Sequence, residues 1–175
     1  MIKIGTTIVE DELDLNNKEF KKRETVRGIC IRKNDVLVLH SDLYNDYIFP
    51  GGGIKNGEDH EQTLIREMKE ETGASKVWNL RPVGYTEELR FGLNLNGSVY
   101  QQISYFYLCN IDDIGELSLT EKELNAGLNP VWVNIEDVLQ QNDQEIKKVD
   151  QRKQGFKTVL VRENRVLRYV KENYL

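Results

Sequence analysis

Glu67, Glu70 and Glu71 stand at positions i, i+3 and i+4, a spacing that sets all three carboxylates on one face of an α-helix. Glu58 lies just ahead of the same segment. Like charges at helical neighbours cost roughly 0.2–0.5 kcal/mol per pair, so four carboxylates kept together imply a compensating charge. Arg66 reaches Glu70 at i+4 and orients it, yet one guanidinium does not balance four carboxylates. A hard divalent cation does, because Mg²⁺ takes oxygen ligands in octahedral geometry and keeps waters and substrate phosphates in its shell. The pattern therefore points to Mg²⁺ or Mn²⁺. Gly51, Gly52, Gly53 and Gly57 precede the helix. A loop without side chains lets backbone groups approach a metal or a phosphate closely, so a carbonyl from Gly52 or Gly53 is a further candidate ligand.

The helix has readable ends. Asp59 and Gln62 make a capping-box pair, and Gly73 is a natural stop after Thr72. Leu64, Ile65 and Met68 project away from the glutamates toward a core. Ahead of it, Pro50 fixes the chain's entry from a short Tyr47–Phe49 strand into the glycines, giving the order strand, glycine loop, acidic helix.

The segment GGIKNGEDHEQTLIREMKEETGA, residues 52–74, resembles the Nudix box. That pattern runs Gly, five residues, Glu, seven residues, Arg-Glu, apolar, any, Glu-Glu, any, Gly, apolar. Gly52, Glu58, Arg66, Glu67, Met68, Glu70, Glu71, Gly73 and Ala74 occupy its positions, and the FPGGG lead-in is similar too. Seven polar or glycine positions filled by chance at roughly 7% each would give on the order of 10⁻⁶ accidental matches in a chain of this length. The resemblance implies an α/β/α sandwich around a central mixed β-sheet, and one to three divalent cations on the box helix. It also implies hydrolysis of a phosphoanhydride bond in a nucleoside diphosphate linked to another group. Carried over by position, Glu67, Glu70 and Glu71 become metal ligands, one of them a possible base, and Arg66 and Glu58 hold helix and loop in register. In some members the base lies on a later loop. Glu116, Glu121 and Glu123 all fall in that stretch, with Glu121 and Glu123 the candidates.

The remainder must position this unit. With 175 residues the chain suits a single domain. Residues 2–9 and 25–32 are rich in β-branched residues, and the second run leads through Lys33-Asn34-Asp35 into VLVLH, residues 36–40, as a hairpin. Residues 11–24 read as a polar surface connection, which leaves 1–24 as an N-terminal strand and linker. Further strands are expected within 77–91, at 99–109 and at 131–133, and Pro50, Pro82 and Pro130 read as edges of elements. A short helix should follow Asn134. Residues 153–174 should form a C-terminal helix packed on the sheet. Its apolar face would carry Phe156, Val159, Leu160, Leu167, Val170 and Tyr174, with Arg162, Arg165 and Lys171 outside that face.

Composition narrows the partners. A hydrophobic fraction of 39% and a charged fraction of 30% suit a soluble globular protein. No apolar run approaches the roughly 20 residues of a membrane span, and the acidic turn of MIKIGTTIVEDELD is unlike a signal peptide, so the cytoplasm is the expected location. Cys30 and Cys109 sit in separate strand-like runs and read as buried free thiols. Residues 144–175 hold nine Lys or Arg against four acids, so they carry +5 and the rest −10 of the net −5, and duplex nucleic acid is a poor partner for that acidic bulk. The basic segment is a phosphate-attracting rim, a dimer surface or, most simply, the outer face of an amphipathic helix. Tyr44, Tyr47, Phe49 and Trp132 serve either as core or to stack on a base, and Glu87, Glu88 and Arg90 either line a cleft or are structural. His40 and His60 are isolated, and His60 should be exposed. A non-catalytic nucleotide-sensing module is the competing reading, and an interaction protein with a merely acidic helix is the third.

Overall fold

The computed structural model describes residues 1–11, 13–16, 18–91, 98–148 and 156–175. The elements in order are β1 (Ile8–Val9), β2 (Phe20–Ile29), β3 (Ile31–Arg32), β4 (Asp35–Ser41), β5 (Asp46–Ile48), β6 (Gly51–Gly53), α1 (His60–Thr72), β7 (Val77–Phe91), β8 (Val99–Ile111), α2 (Glu121–Asn125), β9 (Leu128–Asn134), α3 (Ile135–Lys147) and α4 (Phe156–Tyr174). Buried and half-buried residues alternate along most of β8, as expected of a strand covered on both faces. It lies at the centre of a mixed five-stranded sheet of order β1-β7-β8-β2-β6. A second sheet, not anticipated from sequence, has four strands: β4 pairs antiparallel with β3, β5 and β9.

Two apolar layers enclose the mixed sheet. On one face α1 brings Leu64 and Met68 against Val26, Cys30, Cys109 and Ile111. On the other, α3 and α4 bring Val138, Leu139, Val166, Leu167 and Val170 against Ile29, Val83 and Phe106. This is the α/β/α arrangement expected. Helix and sheet approach closely because β2 presents Gly28 to α1, where a Cβ would meet Met68 Sδ at 2.5 Å. The thiols of Cys30 and Cys109 are buried and free, as read, but the sheet places their Sγ atoms 3.4 Å apart.

Several local expectations need correction. Residues 2–9 do not form one strand: Gly5 takes a left-handed turn at φ 73°, leaving a bridge from Lys3 to Tyr85 and the short β1. The polar connection ends at Phe20 and not at Glu24, since Phe20–Glu24 pair in parallel with Val99–Ile103. The hydrogen bonds of a distant strand override a polar local sequence here. Pro82 and Pro130 lie inside strands, Pro82 at a register shift of β7 and Pro130 on β9, whose pairing among the described residues is to β4 alone. Both are places where a missing N–H is tolerated. The helix after Asn134 runs 13 residues. Of the C-terminal helix, residues 153–155 lie outside the described residues; Tyr174, expected on the apolar face, is exposed.

Arg162 is the largest departure. Expected outside the apolar face, it is 1% exposed, with its guanidinium 2.8 Å from Glu88 on β7 and also paired to Glu163. Burial pulls its pKa down, but Glu163 and Glu88 outweigh that and raise it. The other α4 cations find partners within the chain: Arg168 with Asp143 at 2.7 Å, Lys171 with Glu136 at 2.5 Å, Lys157 with Asp11 and Arg165 with the Thr6 carbonyl. Among the described residues, no helix is long and apolar enough to cross a membrane.

Removing one member of a buried ion pair strands the other, at a cost of about 3–5 kcal/mol. Arg162→Met is therefore expected to lower the unfolding free energy by about that amount in urea titrations, and Arg168→Met by less than about 1 kcal/mol, as for an exposed pair. A pH test reads the N-terminal segment. Hydrogen bonds from Lys3, Gln101 and Thr7 lower Glu87 from its ordinary 4.5 to about 2. Its contribution is thus complete above about pH 4.5 and lost as pH falls through about 2. The stability gap between wild type and Glu87→Gln should accordingly shrink between pH 5 and pH 2.

Candidate active site

The box helix begins and ends as its caps require. Gln62 N–H donates to Asp59 Oδ1 at 2.8 Å while Asp59 N–H donates to Gln62 Oε1 at 3.0 Å, and Gly73 closes the helix in the left-handed conformation. Beyond the helix, Gly115 N–H donates to the Thr72 carbonyl and Ser118 N–H to that of Glu70, at 3.0 and 2.8 Å. Those bonds satisfy carbonyls of the last turn and lead the chain from β8 toward α2.

The glycines expected to form a loop are in fact a strand, β6, paired antiparallel with β2 through Thr25–Arg27. Gly52 faces the helix. A Cβ there would stand 2.4 Å from Glu67 Oε1 and 2.7 Å from Oε2, so the carboxylate fills the space that any side chain would occupy. Gly51 N–H donates to Glu71 Oε2 at 2.6 Å. Two box glutamates are thereby set directly against the backbone of Gly51 and Gly52.

Arg66 gathers the charges. Its Nε and Nη2 donate to the two oxygens of Glu58 at 2.7 and 2.9 Å, and its Nη1 donates to Glu67 at 2.6 Å and Glu70 at 3.2 Å. These bonds, that of Glu58 first, raise the Arg66 pKa against the effect of burial. Glu58 is held at about 2, chiefly by Arg66. Glu71 differs: burial pushes it up to about 8, opposed by Arg27 and the Gly51 N–H and reinforced by Glu67 and Glu123.

Among the described residues, no three carboxylate, imidazole or thiol groups converge as a closed metal cage; Glu67 and Glu70 turn to Arg66, and Glu71 to Gly51. The donor set still fits a hard divalent cation in kind. It offers three carboxylates on one helix face, and a glycine whose missing Cβ leaves Glu67 in contact with the strand backbone. Cation and guanidinium would compete for the same oxygens.

Of the later candidates, Glu116 and Glu121 are exposed. Glu123 is half-buried, caps α2 by accepting from Thr120 N–H at 2.7 Å, and is the one whose charge acts on Glu71. Glu88 is buried against Arg162, Glu87 binds Lys3, and Arg90 donates to Gln102 at 2.6 Å. Phe49 is core, edge-on to Phe106, and Trp132 lies under the Arg32 guanidinium. His60 is not simply exposed: it packs on Tyr105 and bonds Tyr107 Oη at 2.8 Å. Arg23 was not singled out from sequence, because only the β2–β6 pairing brings its guanidinium to within 3.8 Å of the Cβ position of Gly53.

The family model for the NUDIX domain matches residues 21–153. The chain belongs to the Nudix family. This Nudix protein is a hydrolase acting on pyrophosphate bonds. It is 28% identical over 129 residues to Nudix hydrolase 25 of Arabidopsis thaliana, covering 65% of this chain and 74% of that protein. It is 28% identical to an RNA pyrophosphohydrolase of Sulfurovum sp., covering 62% of this chain and 71% of the relative. The match to a human diphosphoinositol polyphosphate phosphohydrolase is also 28% identical and covers 69% of this chain, but it spans only 61% of that protein. Among solved structures, a NUDIX hydrolase from Nitrosomonas europaea aligns with a TM-score of 0.52 at 18% identity, covering 70% of this chain and 79% of the other. The MutT protein of Bacillus halodurans aligns at 0.51 and 23%, covering 68% and 72%.

Gly52→Ala tests the Nudix strand directly, since the new methyl must displace Glu67. Folding should survive by circular dichroism, while Mn²⁺ affinity falls on the order of 10-fold or more. Unchanged affinity would mean that the contact has no bearing on the metal.

Proposed function

We propose that this Nudix hydrolase is a Mg²⁺- or Mn²⁺-dependent pyrophosphohydrolase cleaving the phosphoanhydride bond of a nucleoside diphosphate linked to another group. The observation that carries the reading is the Glu67 carboxylate set against Gly52, on a helix that offers Glu70 and Glu71 from the same face. Glu67, Glu70 and Glu71, with a carbonyl of Gly52, would hold the cation, which when bound supplies a more acidic water and positive charge for phosphate oxygens. Arg66 joins Glu58 to the helix and keeps the strand, loop and helix at fixed spacing. Water attacks one phosphorus, its proton passes to a carboxylate, and the bridging oxygen leaves with the other phosphate. Glu123, half-buried where Glu116 and Glu121 are exposed, is the base candidate outside the box, and a box glutamate is the alternative.

One observation favours a second reading of the substrate. Arg23 has no ion pair among the described residues and lies beside Gly53, on the side of β6 away from Glu67. A cation so placed suits a substrate with phosphates beyond the anhydride. The relatives named as acting on RNA and on diphosphoinositol polyphosphates agree with that chemistry. A purely nucleotide-sensing role is disfavoured because every box carboxylate is present.

Formation of the two phosphate-terminated products should be followed by chromatography and ³¹P NMR, with Mg²⁺ and Mn²⁺, on nucleoside diphosphate derivatives, 5′-triphosphorylated RNA and diphosphoinositol polyphosphates. Wild type is expected to turn over at least one class. Glu70→Gln and Glu71→Gln should be at least about 100-fold slower, the upper end of what even outer-shell partners of a metal contribute. Arg23→Ala should raise KM several-fold on the multiply phosphorylated substrates only. Binding without turnover by the wild type would favour the sensing role, and mutants as fast as wild type would remove the catalytic assignment.

A further inference from the structure

The backbone leading into Gly52 is held from two sides, and the box supplies only one of them. On the helix side Glu71 accepts from Gly51 N–H, and Arg66 reaches the Gly53 carbonyl at 3.4 Å. On the opposite side the groups come from β2 and α4. Phe49 N–H donates to Glu163 Oε2 at 3.1 Å. The Phe49 carbonyl accepts from Arg27 Nη1 at 3.1 Å, and the Gly51 carbonyl accepts from the same nitrogen. Glu163 is fixed in turn, because its other oxygen accepts from Arg162 Nε at 3.0 Å and Arg162 is anchored on Glu88.

Stability does not account for so much buried charge, since buried ion networks are often no more stable than packed apolar side chains. Their geometry does account for it. Two oxygens of Glu163 serve two donors, and one Arg27 nitrogen serves two carbonyls of alternate residues. Both thus act on the backbone that carries the candidate ligand Gly52.

We propose that Arg27 and Glu163, the latter held by Arg162, are positioning residues that set the Phe49–Gly53 backbone at its working distance from Glu67 and Glu71. This rests on the metal-dependent hydrolase reading, but its first readout does not. Arg27 is half-buried within β2 and Met keeps the length of its side chain, so Arg27→Met should fold; Arg27→Lys keeps a donor for one carbonyl.

Amide hydrogen exchange of the full-length protein should show Phe49–Gly53 exchanging on the order of 10-fold faster in Arg27→Met and in Glu163→Gln, with α1 amides unchanged. Glu163→Gln fails because its single oxygen cannot accept from both Phe49 and Arg162. Mn²⁺ titration by electron paramagnetic resonance should show affinity about 10-fold weaker in Arg27→Met and intermediate in Arg27→Lys. On whichever substrate the wild type hydrolyses, kcat should fall in the same order with KM within about twofold. Exchange in Phe49–Gly53 that matches wild type in both Arg27→Met and Glu163→Gln would overturn the proposal whatever the activity. A wild type that hydrolyses nothing would instead overturn the functional reading, leaving the exchange result to decide this one.

Discussion

Four carboxylates can share the space between one helix and its lead-in only if positive charge stands among them. In this protein Arg66 supplies it, contacting Glu58, Glu67 and Glu70 at once. Those contacts tie the residue before the helix to its middle turns, and so fix how β6 lies on α1. Glu67 can then rest on Gly52 with no room for a side chain between them. One guanidinium is also an incomplete counter-charge for that set, which is the electrostatic opening for a divalent cation.

The rest of the fold holds this unit from behind. β6 is three glycines long and has little to pack, so its position comes from hydrogen bonds to β2 and from charged side chains on α1, β2 and α4. The buried group of Glu88, Arg162 and Glu163 links the face of the sheet covered by α4 to the backbone entering β6. The site thus lies where the two helical layers meet the edge of the mixed sheet. A change on α4 can reach the glycine strand without touching the box.

What could be read from sequence followed the range of the interactions. The box helix was legible because its determinants are local: the Asp59–Gln62 caps, the Gly73 stop and the split between glutamates and Leu64, Met68. The same logic was available for α2, whose Thr120 and Glu123 form a capping box and were read only as a loop. Phe20–Glu24 looked like a linker because strand pairing with Val99–Ile103 leaves no periodic trace in so polar a stretch. Arg162 looked like a surface residue because Glu88, its partner, is 74 positions away. Arg23 and Arg27 gain meaning only once β2 is seen to pair beside the glycines, and glycines themselves carry little strand propensity.

Family membership accounts for the bond that is cleaved, and the arginines of β2 and the ion group of α4 lie outside the box that marks the family. The central claim is that the glutamates of α1, loaded with a divalent cation, direct water onto a phosphoanhydride. Turnover of a hydrolysed substrate in ¹⁸O-labelled water, followed by ³¹P NMR, tests it most directly. The account predicts the isotope-shifted signal in one product phosphate, growing with added Mg²⁺ and abolished by chelator. Label incorporation at an equal rate in the presence of chelator would contradict it.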